Sequence, residues 1–202
     1  MTMSGSTDVV IELLNQITPV ITSLAKSVPG RLNEHVGALC LTESPDNILM
    51  WSHYGASHTG FVIGFDAGND YFHSPRSGSD EFTRLRRVSY SAARPSGALI
   101  DLGSPELFFM KSERWGYENE WRTLKPLKDA PSVINSPSGD IHLFTYPRTA
   151  IKSITFGARS TEALRMALRS ELEAKQEYQR IELYEAIADQ TSYSIKLSRV
   201  PL

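Results

Sequence analysis

Two stretches of this 202-residue chain concentrate the side chains that can do chemistry. The first is Met50-Trp51-Ser52-His53-Tyr54-Gly55, which runs through His58 into the apolar stretch Thr59 to Asp66. The second is Lys111-Ser112-Glu113-Arg114-Trp115-Gly116-Tyr117-Glu118-Asn119-Glu120-Trp121-Arg122. All three tryptophans of the protein lie in these two stretches, and the two are expected to meet in space and form the site.

Glu118, Glu120 and Arg122 alternate with Asn119, Trp121 and Thr123. On a strand, that alternation puts two carboxylates and a guanidinium on one face. Two carboxylates held close push one pKa up and can act as an acid/base pair. The competing reading is that Lys111 and Arg122 neutralise them in a structural network. Trp115 and Tyr117 beside these charges mark a ligand surface or a specific buried network. Trp51, His53, Tyr54 and His58 are the expected pocket lining from the first stretch, and Arg122 is expected to orient a carboxylate or a phosphate.

His53 and His58 would need Glu118 or Glu120 to complete a metal site. Their spacing is not that of a helical histidine pair and no cysteine cluster supports them, so no metal is expected. A metal-dependent hydrolase stays only as a third function. Cys40 is the single cysteine, which precludes an intrachain disulfide. It sits in the apolar run Val36 to Leu41 and reads as a small buried hydrophobe rather than a nucleophile. No serine lies in a nucleophile-elbow context, and neither G-x-G-x-x-G after a strand nor a P-loop is present.

A net charge of −2 and a pI near 6.2 give no general pull toward nucleic acid. Arg84, Arg86 and Arg87 read as solvated charge. No run of about 18 apolar residues suggests a membrane span, and no basic-then-apolar start suggests a signal peptide. A cytoplasmic location is expected.

The elements that must position these residues read as mixed α+β: a mostly antiparallel sheet of about seven strands with three to four flanking helices. Residues 1–34 read as an N-terminal helical segment and residues 35–202 as a single α+β domain. Strands are expected at Val36 to Leu41, at 59–66 in a central position, and at Leu85 to Tyr90. Others are expected at Glu118 to Leu124, Ile141 to Phe144, Ala150 to Phe156, Arg180 to Ala186 and Tyr193 to Leu197. Asp46 or Asn47 is expected to cap a short helical turn over Ile48 to Tyr54, stopped by a left-handed Gly55. A capped helix is expected after Ser104. Residues 67–84 read as a lid-like loop. A helix from Ser160 or Thr161 to Tyr178 is expected to bury Leu164, Met166, Ala167, Leu168 and Leu172.

Leu39 to Glu43, Asp46 to Gly55 and His58 to Asp66 together resemble the central signature of the bacterial family called domain of unknown function 2971. Lys111, Trp115, Tyr117 to Arg122 and Ile151 to Gly157 fit its second half in order and spacing, so the resemblance covers about residues 35–160. Residues 1–34 depart from it: family members carry an aromatic strand and an Asn-Asp-Pro turn there. The order of motifs is also similar to remote members of the ADP-ribosyltransferase superfamily, in which a late strand begins with a catalytic Glu. That likeness implies NAD as the small molecule used, in toxin or phage-defence biology, with Tyr54 near the nicotinamide and Glu120, then Glu118, as the catalytic carboxylate. The alternative function is a non-enzymatic module that binds a ligand or partner through the aromatic cluster.

Overall fold

The computed structural model describes residues 34–73, 83–93 and 105–202. The expected N-terminal helix lies outside these residues, as do Ser104 and half of the expected lid, from residue 74 to 82. Among the described residues, eleven short strands form four sheets. The fold is α+β and mostly antiparallel, with its strands divided among sheets rather than gathered into one.

The first main sheet joins β1 (Val36–Thr42), β6 (Glu120–Pro126) and β3 (Arg86–Arg87) in the order β1-β6-β3. The second joins β11 (Ile195–Val200), β10 (Glu182–Ala188), β9 (Ile151–Phe156) and β2 (Phe61–Phe65) in that order. Two small pairs, β4 (Ser89–Ser91) with β5 (Met110–Ser112) and β7 (Ser132–Ile134) with β8 (Ile141–Leu143), complete the set. The expected strand from Leu85 to Tyr90 is thus broken into β3 and β4. Among the described residues there are two α-helices, α1 (Ile48–Tyr54) and α2 (Glu162–Glu173), besides short 3-10 turns such as the one over Pro105–Phe109 after Ser104.

Strand β2 is an edge strand, not the central one expected. Its apolar side chains meet packed neighbours instead: Val62 packs toward Trp51, and Phe65 meets the Phe72 and Tyr146 rings at 5.6 and 5.1 Å. One face of the β9–β10 sheet packs Ile154, Phe156 and Leu183 against Leu172 of α2. The opposite face packs Ala186, Ile195 and Val62 against Trp51 of α1. Helix α2 buries a narrower stripe than expected, because Met166 and Ala167 point to solvent. Arg165 and Arg169 take their place, with both guanidinium groups over the Phe156 ring at 5.7 and 5.8 Å. The helix ends at Glu173, short of Tyr178, which lies in a separate 3-10 turn.

Helix α1 is short and depends on its cap. Asn47 Oδ1 accepts from the Leu49 and Met50 amides at 2.9 and 3.2 Å, which satisfies two otherwise orphaned donors. Gly55 follows with φ −93°, so it is not left-handed. Its lack of a side chain serves contact: a Cβ there would sit 2.6 Å from the Trp51 ring. The left-handed residues come next, Ala56, Ser57 and His58 with φ 50°, 53° and 69°. Among the described residues, no helix is long and apolar enough to cross a membrane.

Candidate active site

A cleft of about 920 Å³ lies between the two main sheets. Its first wall carries Cys40 and Thr42 of β1 with Glu120 and Arg122 of β6, and its second carries β2, β9 and β10. Antiparallel register places Cys40 opposite Arg122 and Thr42 opposite Glu120, so these four side chains share one face.

The expected single strand from Glu118 to Leu124 does not form. Glu118 ends a 3-10 helix over Glu113–Glu118, and Asn119 then turns the chain in the left-handed region at φ 44°, ψ 53°. Asparagine tolerates that conformation better than most residues. Its side chain is tied to Ser44 Oγ at 2.9 Å, and its carbonyl accepts from the Glu43 amide. Glu120 is therefore the first residue of β6. The turn still brings Glu118 and Glu120 to one cation. Lys111 Nζ donates to Glu118 Oε2, and to Glu120 Oε2 at 2.9 Å.

The network extends at both ends. Tyr54 donates its phenol to Glu118 Oε1 at 3.0 Å. Arg122 donates from Nε to Glu120 Oε1 at 2.6 Å and from Nη2 to Oε2 at 3.0 Å, a two-point clamp. Its Nη1 reaches the Phe108 carbonyl at 2.7 Å. Tyr90 fixes the strand start by accepting from the Glu120 amide at 2.9 Å. Both carboxylates are buried, Glu118 at 2% and Glu120 at 4% exposure, and no carboxylate oxygen is left unpaired.

This arrangement corrects the acid/base-pair reading for Glu120. Burial alone would raise its carboxyl, but donors from Arg122, Cys40 and Lys111 outweigh it and lower the pKa from 4.5 to about 2. Glu120 is a fixed negative charge, not a proton donor at neutral pH. Burial works against the Lys111 ammonium, yet bonds to Glu118 and Glu120 raise its pKa overall. Burial and the Glu118 carboxylate both raise Tyr54, which stays a phenol.

Cys40 is exposed, where the sequence suggested a buried hydrophobe. It lines the cleft because β1 turns that face toward it. Desolvation and the neighbouring Glu120 push its thiol up to about 11, so at neutral pH it is neither a thiolate nor a nucleophile.

Of the residues singled out from sequence, Tyr54, Lys111, Glu118, Glu120 and Arg122 line the cleft together. The remainder stand beside it. Trp51 is a core residue, with its indole bonded to the Pro45 carbonyl at 2.7 Å. His58 stacks on Trp51 and bonds Ser52 Oγ at 3.0 Å, so it holds the left-handed turn. His53 and Trp115 meet edge-to-face at 6.2 Å, Tyr117 lies 6.0 Å from Trp115, and Lys111 Nζ sits over the Trp115 ring. This aromatic group props Lys111 from outside. Among the described residues, no three His, Cys, Asp or Glu side chains are grouped to hold a metal ion.

Sequence reasoning gave no site role to Thr42 and Tyr90, read Cys40 only as a buried hydrophobe and read Asn47 only as a helix cap. Thr42 Oγ1 bonds the Glu118 carbonyl and Asn47 Nδ2 the Tyr117 carbonyl, so both tether the 3-10 helix to the first stretch. Alternation along β1 could have paired Cys40 with Thr42, but the register that sets them against Arg122 and Glu120 is a tertiary fact.

A family model described as Protein of unknown function (DUF2971) matches residues 50–123. Comparisons with curated proteins and with solved structures gave no match. The matched span runs from α1 into β6 and carries Tyr54, Lys111, Glu118, Glu120 and Arg122. Over that span, which carries the ion-pair network and the β6 part of one wall, the chain is similar to the DUF2971 family of proteins of unknown function.

Proposed function

We propose that the cleft binds NAD and that the protein is an ADP-ribosyltransferase-like enzyme with Glu120 as its functional carboxylate. One observation carries this reading: Glu120 opens strand β6 in a cleft of about 920 Å³, and its neighbours keep it ionised. Cleaving a nicotinamide–ribose bond builds positive charge on the ribose. A preorganised carboxylate stabilises that charge without first giving up a proton. The cleft volume is at the upper end of small-molecule sites, which suits a dinucleotide better than a small acid. Tyr54, 64% exposed and bonded to Glu118, offers an aromatic face at the entrance.

A second reading, a binding module without turnover, draws on the internal pairing of every oxygen of both carboxylates. In it, the network is structural and the cleft only holds its ligand. Nicotinamide release and thermal shift with NAD separate the two. Release that disappears in Glu120→Gln, with a folded variant, supports the enzyme. A melting shift with NAD and no nicotinamide supports the binding module. Neither response refutes both for this ligand.

A further inference from the structure

The wall facing the ion-pair network has a polar row of its own that nothing above uses. Ser153 and Thr155 on β9 are neighbours on one face of the strand. Register sets Ser153 between Gly64 and Glu182, and Thr155 between Val62 and Tyr184. All six residues line the cleft. Thr155 is 4% exposed, yet its hydroxyl has no hydrogen-bond partner among the described residues, and neither has that of Ser153. Neither hydroxyl is sealed away from the cleft, so both are free to bond a ligand that enters it. Gly64 keeps the row open: a Cβ there would lie 2.2 Å from Ser153 Oγ.

The chemistry of the row selects its occupant. Ser153 and Thr155 each donate and accept. Tyr184 donates to Glu182 Oε2 at 3.0 Å, and Arg199 pairs with the same carboxylate at 3.2 Å. The charge that the row itself presents is thus a carboxylate, and across the cleft Lys111 and Arg122 are committed to Glu118 and Glu120. Lys152, at the strand irregularity next to the row, is exposed. At the row itself the carboxylate favours neutral hydroxyls over phosphate, while Lys152, which also lines the cleft, leaves a cation for phosphate beside the row. We infer that Ser153, Thr155 and Glu182 form a subsite for the hydroxyl-bearing sugar of a nucleoside. The inference concerns the same cleft as the NAD reading but does not require turnover.

The test uses the full chain with adenosine and nicotinamide riboside, each beside its 2′,3′-dideoxy counterpart, and inorganic pyrophosphate as competitor. Calorimetric binding is measured for the parent protein, Thr155→Val and Thr155→Ser, with NAD hydrolysis and the ligand-free melting temperature followed in the same samples. The expected result is that at least one nucleoside binds about tenfold or more tighter than its dideoxy form. Thr155→Val removes that preference, Thr155→Ser keeps it, and the ligand-free melting temperature of Thr155→Val is unchanged or higher. Equal binding of hydroxylated and dideoxy forms overturns the subsite, even if NAD is hydrolysed. So does a preference that survives in Thr155→Val, full competition by pyrophosphate, or no binding of either nucleoside. Hydroxyl-dependent binding without NAD hydrolysis keeps the subsite and removes the enzyme reading.

Discussion

Glu120→Gln separates the electrostatic role of Glu120 from its shape. The amide is nearly isosteric but carries no charge. It leaves the Arg122 clamp without its carboxylate, while Nη1 keeps the Phe108 carbonyl. The magnitude follows from the Glu120 pKa, which falls from 4.5 to about 2 on folding. That difference corresponds to roughly 3 kcal/mol of stability at neutral pH. The folded pKa lies below the unfolded one, so this stabilisation is complete above the unfolded value. It is lost as pH falls from 4.5 toward about 2, where Glu120 protonates in the parent as well. For a chain of this size each kcal/mol shifts the melting temperature by about 2–4 °C. Glu120→Gln should therefore melt roughly 6–12 °C lower at pH 7. Thermal melts of both proteins across the acid range provide the assay, and the gap should close as pH drops through that window. A change under about 2 °C at pH 7, or a gap that persists at low pH, would refute the argument that charge pairing fixes this carboxylate.

Cys40 should be exposed yet slow to react. With a thiol pKa of about 11, its labelling by iodoacetamide at pH 8 should run about a hundredfold slower than that of an ordinary cysteine. The rate should still be climbing at pH 10; a plateau near pH 9, read by mass spectrometry, would contradict the assigned environment. Gly157→Ala should cost about 1–3 kcal/mol, because its Cβ would meet the His58 and Gly60 carbonyl oxygens at 2.2 and 2.9 Å, and both are backbone atoms. An unchanged melting temperature would show that the left-handed turn yields freely.

The amino-acid sequence by itself determined the α+β class, most strand positions, the short α1 helix and the pairing of two distant clusters. These are local matters of turn residues, apolar runs and capping side chains. It also singled out the five residues of the ion-pair network, because charge among aromatics is rare in a strand region. Only the tertiary structure decided what that network is. Glu118 reaches Lys111 through a left-handed Asn119 rather than along a strand, a dihedral choice that alternation does not reveal. Cys40 and Thr42 join Arg122 and Glu120 through cross-strand register, and Tyr90 through the position of a broken strand. Trp51 entered the core from α1, and His58, beyond the end of that helix, entered the left-handed turn that folds back onto Trp51. Whether two neighbouring carboxylates share a proton or each hold a cation depends on what packs within about 3 Å of their oxygens, and sequence spacing does not carry that distance.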